Sequence, residues 1–259
     1  MHDPITEAAD LPELSGLLLL DVRDAQSFDA RHPAGARRVP VAEWVGFAKA
    51  GDTGFDNAAF WEARIAELGV GPDTHAVVYD DGRMTEAARV WFILQHFGAT
   101  ASILNGGWKT LEACCDQVGA CAPSAEPFRA RPGSGRVGLT DRETLRTRLD
   151  EVAVFDSRTR AEYVGEDLKN NRRGGRLPGA RLLPHADLLH GGRVRAVGEL
   201  QGLIAGAGFR PEERIVTHCD AGGRAALAAA AALRAGYDKV DVYYLSFSDW
   251  AADDSCPLE

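Results

Sequence analysis

Ile215-Val216-Thr217-His218-Cys219-Asp220-Ala221-Gly222-Gly223-Arg224 carries an apolar β-type run into a cysteine, turns through two glycines and closes on an arginine. An alanine-rich helical stretch, 224–235, follows and stops at Gly236, a residue suited to end a helix. This order sets a thiol at the mouth of a helix, where unpaired backbone N–H groups and the helix dipole favour negative charge. A thiol so placed ionises readily and serves as a nucleophile or an anion carrier. The plainer reading, a small buried apolar residue at a strand end, is set against it by the glycine pair, the arginine and the helix start.

Working outward, the same pattern occurs earlier in the chain. Leu20-Asp21-Val22-Arg23 matches Phe155-Asp156-Ser157-Arg158, and Ser27-Phe28 matches Glu162-Tyr163. Pro33-Ala34-Gly35-Ala36-Arg37 matches Leu177-Pro178-Gly179-Ala180-Arg181. Ala76-Val77-Val78-Tyr79-Asp80 matches Ile215-Val216-Thr217-His218-Cys219, and Asn105-Gly106-Gly107-Trp108 is set against Ser246-Phe247-Ser248-Asp249-Trp250. The offsets run from 135 (Asp21 to Asp156) to 144 (Arg37 to Arg181), always in the same order. A period this long is a duplication into two domains, not a solenoid. The expected domains are 1–121 and 139–259, joined by an exposed Pro/Gly/Ser/Arg-rich linker over 122–138.

Each half alternates short apolar runs with helical patterns. The runs 17–22, 76–79, 152–155 and 215–217 suit buried parallel strands, and 86–98 places Ala87, Val90, Trp91, Leu94 and Phe97 on one helical face before Gly98. Strands alternating with helices predict an α/β fold, a mainly parallel sheet flanked by helices in each domain. Ligands of such sheets sit at the carboxyl ends of the strands, where Cys219 lies.

Composition limits the partners. The chain has 259 residues, is 45% hydrophobic and carries a net charge of −9. An acidic surface argues against nucleic acid and anionic membrane, and no run approaches the ~18 apolar residues of a membrane span. The first residues, Met1-His2-Asp3-Pro4-Ile5-Thr6-Glu7, lack the basic start of a secretory signal. Five cysteines without an evident framework fit free thiols in a reducing compartment, so the expected location is cytoplasmic.

Taken together, the Asp-x-Arg strand ends, the Pro-Gly-Ala turns, the Cys-x-x-x-x-Arg loop and the Asn-Gly-Gly-Trp segment resemble the tandem rhodanese family of sulfurtransferases across nearly the whole chain. The resemblance implies two tandem rhodanese-like domains. It also implies a Cys219 persulfide that takes sulfane sulfur from a small anionic donor, thiosulfate or 3-mercaptopyruvate. The sulfur passes to a thiol (a small thiol or a thioredoxin-like protein) or to cyanide, without cofactor or metal. In that pattern only the second domain is catalytic, and Asp80 stands at the cysteine position of the first. An anionic persulfide needs inward-facing donors, which the backbone of Asp220, Ala221, Gly222, Gly223 and Arg224 can supply, the two glycines allowing positive φ. Arg224 either binds the donor or braces the loop against a carboxylate, and Arg158 either binds the donor or forms a structural ion pair. Many tandem members carry a further basic residue or Gly-Ser after the cysteine; here Asp220-Ala221 stands there, and Asp220 opposes a dianion.

Two other functions stay open at this point. His218-Cys219 followed by an arginine is similar to the His-Cys-x5-Arg signature of cysteine phosphatases and arsenate reductases. Four residues rather than five separate Cys219 from Arg224, which suits a smaller anion. The other is a non-catalytic persulfide carrier. Weaker signals are read as structural. Gly133-Ser134-Gly135-Arg136-Val137-Gly138 follows no strand, so it is not a dinucleotide loop. Cys114, Cys115 and Cys121 lack zinc spacing, and Cys256 in the polar tail is a bystander. His185 and His190 miss the i, i+4 spacing of paired ligands, and the His218 side chain should point away from the pocket. Arg172-Arg173-Gly174-Gly175-Arg176 reads as a solvated loop, and Trp44, Phe47, Phe55, Phe60 and Trp61 as packing core.

Overall fold

The apolar runs read from the sequence are parallel strands in the computed structural model, which describes residues 3–113, 124 and 126–259. In the first half, β1 (Ile5–Thr6), β2 (Leu17–Asp21), β3 (Arg37–Arg38), β4 (His75–Tyr79) and β5 (Thr100–Leu104) form one sheet in the order β1-β5-β4-β2-β3. In the second half, β6 (Gly138–Thr140), β7 (Ala153–Asp156) and β8 (Arg181–Leu182) precede a two-stranded ladder of β9 (Leu189–His190) and β10 (Arg193–Val194). Then β11 (Ile215–His218) and β12 (Val240–Tyr243) complete a sheet ordered β6-β12-β11-β7-β8. The two orders match strand for strand, so the duplication read from the sequence is a duplication of topology.

Helices fill the crossovers. The first half contributes α1 (Ala25–Ala30), α2 (Val41–Lys49), α3 (Ala58–Glu67), α4 (Thr85–His96) and α5 (Trp108–Leu111). The second contributes α6 (Arg142–Thr147), α7 (Arg160–Tyr163), α8 (Val197–Gly206), α9 (Gly223–Arg234) and α10 (Ser246–Ala252). Ala76, Val77 and Val78 on β4 are fully buried, as strands covered on both faces require. The helices that follow the central strands are buried nearly all round, and α9 manages this with alanines, Ala225, Ala226 and Ala228 to Ala232 all being inaccessible. Both helices stop where the sequence places a glycine, Gly98 at φ +88° and Gly236 at φ +94°.

The chain divides into two compact units, Met1–Arg136 with Gly191–Arg193, and Val137–His190 with Val194–Glu259. The described part of the expected linker is not simply an exposed tether. Ala130 donates its N–H to Glu62 and Arg131 to the carbonyl of Phe97, while Phe128 is buried, so this stretch is held on the first unit. Trp61 packs edge-on to Trp44 and Phe60 and stacks near Phe55 and Phe97, in agreement with the packing role read for this aromatic set. Phe47 and Phe60 meet edge-on at 5.0 Å. No described helix is long and apolar enough to cross a membrane.

Candidate functional site

Parallel pairing of β11 with β7 sets His218 beside Asp156, so Cys219 and the Asp156-Ser157-Arg158 turn leave the sheet together at its carboxyl end. The chain after Cys219 must then turn sharply into α9. Gly222 makes that turn at φ +100°, a conformation any Cβ would strain, and its N–H points back at Cys219 Sγ over 3.0 Å. Gly223 does not share this conformation: it is the first residue of α9 and lies outside the positive-φ positions, so one glycine supplies the turn where two were expected.

The carbonyls of the loop face elsewhere. Cys219 O accepts from Phe247 N–H and Asp220 O from Ser248 N–H, each at 3.0 Å, at the start of α10. Cys219 N–H donates to the hydroxyl of Ser246 over 3.2 Å. The Asp220 carboxylate accepts from the Asn171 amide at 2.7 Å, and Ala221 lies in the turn between Asp220 and Gly222. Cys219 itself is only 1% exposed, but a backbone donor and a hydroxyl adjoin its sulfur in place of a purely apolar wall.

Arg224 and Glu162 form two bonds of 2.7 Å. Glu162 is also the N3 residue of the Thr159 capping box on α7, accepting from the Thr159 N–H and hydroxyl. Burial pushes the Glu162 carboxyl up, but Arg224 and Thr159 outweigh it and hold it down at about 2. Burial opposes the charge of Arg224; its hydrogen bonds to Glu162, with Cys219 and Asp220 nearby, keep it above its ordinary range all the same. Of the two roles read for Arg224, the loop brace is the one occupied.

Arg158 is likewise committed. Its Nε donates to both Asp156 oxygens and one terminal nitrogen donates to Asp156 Oδ2 at 2.6 Å and to Gly175 O at 2.9 Å. The guanidinium lies 3.9 Å from the centre of the Phe247 ring, and the side chain is 2% exposed. The first unit repeats this: Arg23 binds Asp21 with the same 2.6 Å contact, donates to Arg31 O at 2.8 Å, and lies 3.9 Å from the Trp108 ring. The arrangement thus recurs in the unit that has no thiol at the matching position. It also resets one sequence match: Trp108 corresponds to Phe247, not Trp250, and Trp108 N–H meets Asp80 O just as Phe247 N–H meets Cys219 O.

At the cysteine position of the first unit, the Asp80 side chain occupies its own loop. Its Oδ1 accepts from Gly82 and Met84 N–H at 2.8 and 3.0 Å, and its Oδ2 from Ala87 N–H at 3.3 Å. Burial, the larger influence, raises the Asp80 carboxyl while these donors act against it. The left-handed residue before the helix is Met84 here (φ +68°), four positions after Asp80, whereas Gly222 is three after Cys219.

The sequence matches the rhodanese-like domain family twice, over residues 5–114 and 141–253. The chain belongs to the rhodanese family. Among curated relatives, it is 29% identical over 201 residues to the 3-mercaptopyruvate sulfurtransferase of Escherichia coli K12, covering 75% of this chain and 71% of the relative. It is 28% identical over 271 residues to the thiosulfate sulfurtransferase of Pseudomonas aeruginosa, covering 98% and 96%. In fold it resembles a 3-mercaptopyruvate sulfotransferase structure from Escherichia coli, with TM-score 0.74 and 24% identity over 95% of this chain and all of the other. An anaerobic ergothioneine biosynthesis enzyme from Chlorobium limicola gives TM-score 0.80 at 18% identity, over 99% of this chain and 70% of that one. Family membership and these relatives support a rhodanese-type sulfurtransferase.

Other residues of this rhodanese fall into place around the loop. His218 is fully buried, its Nδ1 3.2 Å from Cys219 O and its Nε2 3.4 Å from Asp156, so it points away from the sulfur; burial pushes its titration down. Burial and the nearby Arg224 lower that of His185. The arginine cluster is not a solvated loop throughout. Arg173 donates to the carbonyls of Trp250, Ala251, Asp253 and Cys256 and so caps α10, and Arg176 covers the Tyr163 ring at 4.9 Å, while Arg172 is exposed. Cys256 is not part of a polar tail but is 1% exposed, in a core with Leu145, Val154 and Trp250, and burial pushes its thiol up. Cys114, Cys115 and Cys121 lie outside the described residues.

Sequence reasoning did not assign Glu162, Asn171 or Ser246 to the site. Glu162 had a signal, the Thr159-x-x-Glu162 capping box, but only of a helix start. Asn171 and Ser246 had none, because they reach the loop from 49 and 27 positions away in the chain.

Proposed function

We propose that this rhodanese moves sulfane sulfur through a persulfide on Cys219. The Cys219 thiolate attacks the outer sulfur of the donor. With thiosulfate the S–S bond breaks and sulfite leaves with the electron pair; with 3-mercaptopyruvate the C–S bond breaks and the enolate of pyruvate leaves. An acceptor thiol or cyanide then takes the terminal sulfur, returning the Cys219 thiolate. The observation that carries this reading is the Gly222 N–H aimed at Cys219 Sγ over 3.0 Å, with the carbonyls of Cys219 and Asp220 tied back to α10. A negative sulfur there meets a fixed backbone donor that needs no reorganisation when charge develops.

The same charges favour one donor. Arg158 and Arg224 are neutralised by Asp156 and Glu162, and Asp220, next to Cys219 in the chain, adds a negative charge to the loop. Singly charged 3-mercaptopyruvate is therefore the preferred donor over dianionic thiosulfate. The first unit is non-catalytic, since Asp80 offers no sulfur and fills its own loop. Arg158 is a structural residue of the loop support and not a donor ligand.

Intact mass after incubation with each donor tests this. Expected is a gain of one sulfur atom, reversed by cyanide, absent in Cys219→Ser and greater with 3-mercaptopyruvate at equal concentration. Hydrolysis of an aryl phosphate with no sulfur gain would replace the proposal by a phosphatase, and loading without transfer to small acceptors would make the protein a carrier.

A further inference from the structure

One buried nitrogen near the thiol has no task in the fold. His185 opens a single 3₁₀ turn, His185–Leu188, soon after β8, and its Nδ1 is buried without a hydrogen-bond partner. A buried polar atom left unpaired is costly and calls for an explanation. The backbone brings this ring to the site. Ser157 donates its N–H to His218 O at 3.0 Å and its hydroxyl to the same oxygen at 2.8 Å, while its own carbonyl accepts the His185 N–H at 3.1 Å. One residue thus bridges the strand that runs into Cys219 and the turn that begins with His185. With β7 between β8 and β11, the two backbones leave the sheet about 10 Å apart, two strand spacings. A thiolate, a three-carbon acid and an imidazole together span such a gap. The turn also packs against α9, which opens with Gly223 and Arg224.

The internal duplicate lacks this group. Val39 N–H donates to Asp21 O at 2.8 Å as Leu183 N–H donates to Asp156 O at 3.1 Å, so Pro40 corresponds to Pro184 and Val41 to His185. The unit without a thiol carries an aliphatic side chain where the unit with one carries an imidazole. The charged groups that act on the ring are Arg224, Glu162 and Asp187 of its own turn; β9, which also packs here, carries His190, which is exposed. Burial and Arg224 push the titration of His185 down, so at pH 7 the ring is neutral and one of its nitrogens can accept a proton.

We infer that His185 is a catalytic residue of the 3-mercaptopyruvate half-reaction, carrying a proton from the thiol of the donor to its methylene carbon. The donor, HS–CH2–CO–COO⁻, must lose an S–H and gain a C–H on its way to pyruvate. As Cys219 Sγ attacks, the S–S bond forms and the C–S bond breaks, its electron pair going to the methylene carbon as an enolate. The neutral imidazole takes the S–H proton, and the imidazolium then protonates the enolate carbon. The products are the Cys219 persulfide anion and pyruvate, His185 is neutral again, and no co-reactant is consumed. Thiosulfate brings no such proton and releases sulfite, so it makes no use of this residue.

This assignment rests on the sulfur transfer through Cys219 proposed above, and the two fail differently. His185→Phe keeps a flat ring and removes the unpaired nitrogen, so thermal unfolding should come no earlier than in the parent. Single-turnover pyruvate release and sulfur gain with 3-mercaptopyruvate should fall about a hundredfold, while sulfur gain from thiosulfate and iodoacetamide alkylation of Cys219 change by less than about twofold. In the parent, the ratio of the 3-mercaptopyruvate rate to the alkylation rate should drop as pH falls below 6.5 through the lowered titration of His185, because ionisation of Cys219 enters both rates and cancels. That profile decides alone should the variant fail to fold, and a flat ratio overturns the inference. So does a variant that takes sulfur from 3-mercaptopyruvate at the parental rate. A variant slowed equally with both donors and in alkylation makes the ring a wall of the site and overturns it as well. A parent protein that gains sulfur from neither donor removes the sulfur-transfer reading, and this inference with it.

Discussion

Arg224 and Glu162 meet through two parallel bonds of 2.7 Å, and the carboxylate end of the pair is 1% exposed. The first helical turn after the nucleophile is thereby bolted to α7, which begins four residues beyond Asp156 at the end of the neighbouring strand. One carboxylate caps a helix, neutralises the loop arginine and fixes the entry of α9.

Acid should release this bolt. Glu162 is held at about 2 against an ordinary 4.5. Its folded-state value is depressed, so its contribution is fully present above pH 4.5 and disappears as pH falls toward 2. The difference of about 2.5 units corresponds to roughly 3 kcal/mol. Glu162→Gln should therefore cost about 3 kcal/mol at pH 7 in urea unfolding followed through the second unit, leaving Arg224 unpaired. The gap between variant and parent should narrow below pH 4.5. A gap that is the same at pH 7 and pH 3 would contradict the assignment.

Arg158 should behave as an internal strut. It is 2% exposed and shares its geometry with Arg23 in the unit that has no thiol. Arg158→Ala and Arg23→Ala each leave a buried carboxylate uncompensated and should destabilise their own unit by about 3–5 kcal/mol. Equilibrium unfolding measures this directly. A stable, well-folded Arg158→Ala protein whose only defect is a raised KM for the sulfur donor would restore the ligand role.

Local patterns carried far in this chain, and long-range contacts did not. The strands 17–22, 76–79, 152–155 and 215–217 were legible because buried parallel strands are short apolar runs, and the helix ends because Gly98 and Gly236 take the left-handed conformation. The duplication was legible because Asp21-x-Arg23 and Asp156-x-Arg158 are each local turns, closed over two positions. Matching the two copies failed at Trp108. The offset from Trp108 to Phe247 is 139, the same as from Asp80 to Cys219, but ring identity drew the match to Trp250. The ring stacked on each arginine, Trp108 or Phe247, and the backbone bond each makes to the carbonyl of Asp80 or Cys219 settle the correspondence. Glu162 and Arg224 are 62 positions apart, and the sheet order that brings them together is not written in either neighbourhood.

A second acid response belongs to the first unit. His96 lies within ring contact of Phe55, Phe92 and Phe97, its Nδ1 has no hydrogen-bond partner, and burial lowers it to about 4 from 6.5, with Asp56 opposing. The folded state thus binds this proton less readily than the unfolded one. Stability is unaffected above pH 6.5 and falls as pH drops from 6.5 to 4, by up to roughly 3 kcal/mol. Trp44, Trp61, Trp91 and Trp108 make fluorescence a reporter of this unit. His96→Phe should flatten the fall between pH 6.5 and 4, and an unchanged slope would sink the assignment.

Gly107 offers the sharpest contrast with the serine at the corresponding position of the other copy. At φ +58° an alanine would be strained, and its Cβ would stand 2.6 Å from Asp80 O, a contact with backbone that no side-chain rotation relieves. Asp80 cannot retreat, because its carboxylate is held by Gly82, Met84 and Ala87 N–H and its carbonyl by Trp108 N–H at 2.7 Å. Gly107→Ala should then destabilise the first unit by about 3 kcal/mol, the sum of left-handed strain and overpacking. Chemical denaturation followed by tryptophan fluorescence gives the value. A loss under ~0.5 kcal/mol, the range of an ordinary surface change, would show that the loop yields easily.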